Sequence, residues 1–124
     1  MSTLKKTVLI VDTDVGGAQL LHDMLDLDGF DPVVVSHLEI VKSIALGVAP
    51  DAFVMTVMLP PTTGIELAAE LRESFEKTPM VALTSSMLMR ELAEESGLFT
   101  AVLGRPPDFS ILLDVLLKHS REGV

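Results

Sequence analysis

Pro50-Asp51-Ala52-Phe53-Val54-Met55-Thr56-Val57-Met58-Leu59-Pro60 is the stretch whose reading decides how this chain folds. From Ala52 to Val57 it is apolar apart from one threonine, and breaker residues bound it. Such a run reads as a strand buried on both faces, as in a parallel sheet covered above and below. Similar short runs occur at Thr7 to Val11, Val33 to Val35, Met80 to Leu83 and Ala101 to Leu103, so five strands are expected. Thr56 then sits at the carboxyl end of the third.

Between the strands the apolar residues take helical spacing. Phe109, Leu112, Leu113, Leu116 and Leu117 form the clearest stripe, and Leu38, Val41, Ala45 and Val48 form another after the second strand. Ala68, Leu71 and Phe75 do the same after the third strand, as do Leu21 and Leu25 after the first. Helix starts are also legible. Ser36 with Glu39, and Thr63 with Glu66, fit the capping box, in which a hydroxyl and a carboxylate satisfy amide hydrogens of the first turn. Asp14 and Asp108 are expected as single caps. Gly29 and Gly97 stand where a left-handed residue commonly ends a helix.

Regular alternation of strand and helix implies right-handed crossovers and one doubly wound α/β sheet with helices on both faces. The chain reads as a single domain, residues 1–124, with its core at about 7–119 and residues 120–124 as a tail or the start of a linker. In open sheets of this kind the functional crevice lies beyond the carboxyl ends of the strands. Topology therefore gathers Asp12, Thr13 and Asp14 from the first strand, and Thr56 and Met58 from the third. Thr84 and Ser85 join them from the fourth, and Arg105 from the fifth.

Composition narrows the function classes. A chain of 124 residues with no Cys, Trp or Tyr builds an aliphatic core and has no disulfide, thiolate nucleophile or sulfur metal site. The apolar stretch from Ile44 to Pro61 is broken by Gly47, Pro50 and Asp51, which argues against a membrane span, and nothing near Met1 has the charged-then-apolar layout expected of a signal peptide. A cytoplasmic location is expected. The net charge of -9, with no compensating Lys/Arg stripe, repels a phosphate backbone, so the expected partner is a protein and not nucleic acid.

Val8-Leu9-Ile10-Val11-Asp12, Pro50-Asp51, Pro60 with Gly64, Leu83-Thr84 and Arg105-Pro106, in that order along the chain, together resemble the receiver domain of two-component response regulators. Val8-Leu9-Ile10-Val11-Asp12 is similar to the family's first strand with its acidic tip, and Pro50-Asp51 precedes the third strand. Pro60 and Gly64 keep the spacing of the family's loop, Leu83-Thr84 ends the fourth strand, and Arg105-Pro106 stands where the family has Lys-Pro. The resemblance implies the flavodoxin-like, CheY-like (βα)5 fold with strand order 2-1-3-4-5. It also implies a cis peptide at Arg105-Pro106.

In that family an aspartate at the position of Thr56 accepts a phosphoryl group, two acids after the first strand help to hold magnesium, a lysine contacts the phosphoryl group and a Thr/Ser responds to it. Here Asp12 keeps the first acid, while Thr13 replaces the second and Thr56 replaces the acceptor. Asp12, Thr13, Thr56, Met58, Thr84 and Arg105 are thus read as a vestigial pocket. Magnesium prefers octahedral oxygen ligation with carboxylates, so Asp12 with the Met58 carbonyl makes a poor site, and no cofactor is expected. Asp14 is a weak further metal candidate and is read as a helix cap in preference. Thr56 is read as a neutral filler hydrogen-bonding its neighbours. An alcohol needs an adjacent base to act as a nucleophile, and no histidine maps to this edge.

Two readings stay open at other positions. Thr84 is a backbone satisfier or a switch. Arg105 either engages Asp12 through two parallel hydrogen bonds or faces solvent. Val102 occupies the family's aromatic switch position. Met87-Leu88-Met89 opens the fourth helix, and three consecutive residues cannot all face one core, so Met87, Met89 and Val102 are read as a partner surface. Asp26, Asp28 and Asp31 lack the calcium-loop pattern, and His22, His37 and His119 have no metal-ligand spacing. No Walker A or dinucleotide fingerprint follows the first strand.

The expectation is therefore a non-enzymatic, phosphorylation-independent receiver acting as a protein-interaction module. Its partner would be a histidine kinase or an output protein, or a second copy joined through the fourth helix, fifth strand and fifth helix. The alternatives are phosphorylation on Asp12 or Asp14, and a small ligand-binding α/β domain.

Overall fold

The sheet is parallel and five-stranded, its strands running in the order Asp31–Val35, Thr7–Val11, Ala52–Thr56, Met80–Leu83 and Ala101–Leu103. In this computed structural model, which describes residues 5–119, its strands are β1 (Thr7–Val11), β2 (Asp31–Val35), β3 (Ala52–Thr56), β6 (Met80–Leu83) and β7 (Ala101–Leu103). A short antiparallel hairpin, β4 (Met58–Leu59) with β5 (Thr62–Thr63), follows β3. The helices are α1 (Val15–Leu27), α2 (Val41–Val48), α3 (Gly64–Arg72), α4 (Met87–Ser96) and α5 (Phe109–His119). Counting only the five long strands, this is the expected 2-1-3-4-5 order. The expected tail, residues 120–124, lies outside the described residues.

Strand residues alternate between two cores. Val8 and Ile10 of β1, Ala52 and Val54 of β3, and Val81 and Leu83 of β6 pack with Ala18, Leu21 and Leu25 of α1 and Leu112 and Leu116 of α5. Leu9, Val11, Phe53, Met55 and Met80 point the other way, onto Val41 and Ala45 of α2 and Leu67, Ala68 and Leu71 of α3. A third cluster joins Ala93 of α4 to Val57, Ala82 and Val102 on that second side. Burying both faces explains why β1, β3 and β6 are continuous apolar runs, whereas the edge strand β2 leaves Asp31 and Val34 exposed, against the expectation that all five would be buried on both faces. Each large aliphatic side chain so buried contributes about 1.5–3 kcal/mol.

Local expectations divide by whether the fold offers a better partner. Asp108 caps α5 by accepting from the Ser110 and Ile111 amides at 3.0 and 3.4 Å. Gly97 ends α4 at φ 71°, and Gly29 follows α1 at φ 89°. Thr63 accepts from the Glu66 amide at 3.2 Å, but the Glu66 carboxylate takes the Thr62 hydroxyl at 2.8 Å instead of reaching back to the cap. The Ser36-Glu39 box does not form. A 3-10 turn, Leu38–Ile40, intervenes before α2, and neither start is capped by a side chain.

β2 begins earlier than expected, at Asp31, and includes Pro32. It is an edge strand, where a missing amide hydrogen need not cost a ladder bond. In the last helix Leu117 is 65% exposed and so leaves the apolar stripe assigned to it, while Leu112 and Leu116 are fully buried.

Two contacts were not legible in advance. A Cβ at Gly64 would stand 2.6 Å from the Thr56 carbonyl oxygen, so only glycine lets α3 start against the end of β3. Arg72, at the end of α3, donates to the carbonyls of Leu98, Phe75, Glu76 and Thr78. It ties the loop after α3 to the loop before β7.

Candidate functional site

At the carboxyl ends of β1, β3 and β6 the sheet opens into a crevice of about 190 Å³. Asp12, Thr13, Asp14, Thr56, Met58, Thr84, Ser85 and Arg105 line it, so every residue expected in the vestigial pocket is brought there. The three assigned to a partner surface are elsewhere. Met87 on α4 is 76% exposed. Met89 is half-buried against the third cluster, and Val102 on β7 is only 8% exposed within it. Val102 is therefore core and not surface, because a β7 side chain on that face lies beneath α4.

Arg105 organises the crevice. Its Nη2 donates to Asp12 Oδ2 at 3.1 Å and to Asp14 Oδ2 at 3.0 Å, with Asp12 Oδ1 further off at 3.5 Å. The expected pairing with Asp12 is present and the solvent-facing alternative is not. It runs through one nitrogen shared between two acids, not through two parallel bonds to one. Burial pulls the guanidinium pKa down, but the hydrogen bonds and negative charges of Asp12 and Asp14 more than reverse this and raise it. Asp12 is buried at 3% exposure, and its Oδ1 accepts the Asp14 amide at 2.9 Å.

Asp14 occupies the cap position of α1, but its carboxylate makes no capping bond. It turns to Arg105 instead, which corrects the reading of Asp14 as a side-chain cap. A guanidinium offers a charge-assisted bond, stronger than one from a neutral amide.

The neutral hydroxyls differ. Thr84 Oγ1 accepts the Ser86 amide at 3.1 Å, just before α4, so it satisfies backbone. Thr56 is 4% exposed, and its Oγ1 has no hydrogen-bond partner among the described residues. The expectation that it bonds its neighbours is therefore overturned. Its β3 backbone is committed to the sheet, with Thr56 in register with Leu83, and nothing polar on the neighbouring strands reaches the hydroxyl.

Sequence reasoning missed Gly17. It lies within α1 and has no positive φ, yet a Cβ there would meet Arg105 Nη2 and Asp14 Oδ2 at 3.1 Å and Asp12 Oδ2 at 3.5 Å. The signal was available as Gly16-Gly17 early in a helix, where glycine lowers stability by about 1 kcal/mol relative to alanine. A second, larger cleft of about 820 Å³ lies between the loop after β2 and α3 and gathers Glu39, Glu66, Glu70 and Glu73. It adjoins the crevice at Thr13, is not lined by Arg105, and carries no basic group but His37.

Residues 8–103 match the response regulator receiver domain. The chain belongs to that family. This receiver domain is 36% identical over 92 residues to the transcriptional regulatory protein CpxR of Klebsiella pneumoniae, covering 73% of the chain and 39% of that protein. It is 33% identical over 82 residues to the alkaline phosphatase synthesis transcriptional regulatory protein PhoP of Bacillus subtilis, covering 66% of the chain and 34% of that protein. The chain thus spans little more than a third of these curated relatives. The BeF3-activated N-terminal receiver domain of Klebsiella pneumoniae RstA superposes with TM-score 0.83 at 25% identity, over 94% of this chain and 100% of that one.

Receiver domains interact with histidine kinases and effector domains, and they are signalling modules. The family implies magnesium, and the donor set here does not fit it. Among the described residues no group of three or more His, Cys, Asp or Glu could hold a metal ion. The two available carboxylates already share a guanidinium, and the third crevice donor, Thr56, is neutral. Among those residues no helix is long and apolar enough to cross a membrane.

Proposed function

We propose that this receiver domain is a pseudo-receiver, which signals without phosphoryl transfer as a protein-interaction module. The observation that carries the reading is Thr56. At the tip of β3, where the family's acceptor would stand, is a buried alcohol with an unbonded oxygen. An acyl phosphate requires a carboxylate there. A phosphothreonine would require a free base to take the hydroxyl proton; none of His22, His37 or His119 lines the crevice, and its two carboxylates, Asp12 and Asp14, are bound to Arg105.

The two acids nearby are engaged by Arg105, which lowers their availability as acceptors. With no acceptor and no metal, the output surface has one setting and partners read its shape. The domain catalyses nothing in this reading. Its partner is a histidine kinase or an output protein, and Met87 and Leu88 of α4, at 76% and 64% exposure, offer an adaptable apolar contact. The charge of -9 opposes direct contact with nucleic acid.

Intact-mass measurement after incubation with acetyl phosphate and magnesium tests the reading. The mass should be unchanged. A gain of one phosphoryl group, acid-stable and base-labile, would show that Asp12 or Asp14 has taken over as acceptor and would overturn it.

A further inference from the structure

We propose that the Asp12-Asp14 pair is a cation site whose occupant is built into the chain: the guanidinium of Arg105 fills it and excludes divalent metal. This goes beyond the reading above and does not rest on it, since it concerns which cation the acids hold, whether or not any residue accepts phosphate.

Three observations point to a built site. Arg105 Nη2 lies almost equally far from two carboxylates, 3.1 Å from Asp12 and 3.0 Å from Asp14, and so bridges them as a shared cation would. Gly17 is the clearance for it: any Cβ would press within 3.1 Å of that same nitrogen and of Asp14 Oδ2. No backbone conformation at Gly17 calls for glycine, so the helix accepts its cost and the guanidinium gains the space. Thr56 Oγ1, buried and unpartnered, lines the same crevice, which leaves a neutral oxygen at the position from which a metal would draw a further charged ligand.

Charge and connectivity explain the choice of occupant. Two carboxylates with one guanidinium leave a residual single negative charge, too little to strip the hydration of a small divalent ion that usually takes several oxygen ligands. Arginine stays ionised at any physiological pH and, unlike a free ion, cannot be diluted away. The acids and the cation are more than ninety positions apart in sequence, so the bridge ties the loop after β1 to the loop after β7. In a receiver with this bridge, divalent ion concentration does not alter the shape of the crevice.

Manganese(II) is the probe, read by paramagnetic broadening of amide resonances in the full chain. The wild type should show no saturable broadening at Asp12, Asp14 and Thr84 up to roughly 10 mM, the range in which weak oxygen sites fill. Arg105→Gln should acquire it, with affinity at least about tenfold higher than wild type, because one positive charge is removed from between two acids. Gly17→Ala should shift affinity the same way by a smaller factor while keeping the charge, since its methyl crowds Arg105 Nη2 and Asp14 Oδ2 at 3.1 Å and loosens the bridge. Adding Asp14→Asn to Arg105→Gln should abolish the gain. Equal manganese affinity in wild type and Arg105→Gln would overturn the proposal. So would the absence of any gain in both Arg105→Gln and Gly17→Ala; should the first fail to fold by circular dichroism, the second decides alone.

Discussion

Arg105 holds Asp12 and Asp14 with the same nitrogen at nearly the same distance, yet the two bonds lie in different dielectric surroundings. The Asp12 side chain is 4% exposed and that of Asp14 60%, with Arg105 between at 33%. Screening should make them unequal. A double-mutant cycle on unfolding free energy should give Arg105-Asp12 a coupling of about 1–3 kcal/mol, discounted for the partly exposed guanidinium, and Arg105-Asp14 less than about 1 kcal/mol. Equal couplings would mean that water reaches Asp12 as freely as Asp14.

Thr56→Val should stabilise the protein. The wild-type hydroxyl is desolvated without a bond in return, and valine fills nearly the same volume with no polar atom to satisfy. The expected gain is about 1 kcal/mol, visible as a rise of a few degrees in the thermal midpoint. A loss of similar size would show that the oxygen has a partner after all.

Arg72 should prove costly to replace although it lies far from the crevice. Its guanidinium donates to four carbonyls, including two bonds to Leu98 at 3.1 and 2.7 Å. Burial lowers its pKa, but no favourable uncharged form is open to an arginine. Arg72→Met should destabilise by about 2–4 kcal/mol through carbonyls left without a donor, and Arg72→Lys should recover only part, since one ammonium cannot reproduce the planar fork. Chemical denaturation of both variants checks this.

Asp108 gives α5 a pH-dependent start. Its Oδ1 accepts from the Ser110 hydroxyl at 2.8 Å and from the amides of Ser110 and Ile111. The Ser110 hydroxyl first, and then the Ile111 amide, hold its pKa below the ordinary 3.8. A depressed pKa means that the folded state favours the ionised form. The contribution is whole above the unfolded value and is lost as pH falls through the lower folded one. The stability gap between wild type and Asp108→Ala should therefore narrow on acidification from about pH 5 to pH 3. A gap that stays constant over that range would rule out the charge as the cause.

Much of this architecture was legible because it depends on local pattern. Apolar runs of strand length, stripes at helical spacing and glycines past helix ends are recorded in neighbouring residues, and they placed the strands, the helices and the edge at which Asp12, Thr56, Thr84 and Arg105 meet. Failures came where two local options competed for one side chain. Asp14 had the right residue type for a cap, and a cation from the far end of the chain outbid the amide. Val102 could have been surface or core on its own short strand, and the position of α4 decided.

By itself the sequence determined that an aliphatic parallel sheet would form and that no carboxylate would stand at the tip of β3, because side-chain periodicity and residue identity are properties of the chain before it folds. Only the tertiary structure decided that Arg105 bridges two acids, that Gly17 makes room for it and that Thr56 is left without a partner. Those facts depend on distances between residues remote in the chain, which exist only once the loops after β1 and β7 have been brought to the same edge of the sheet.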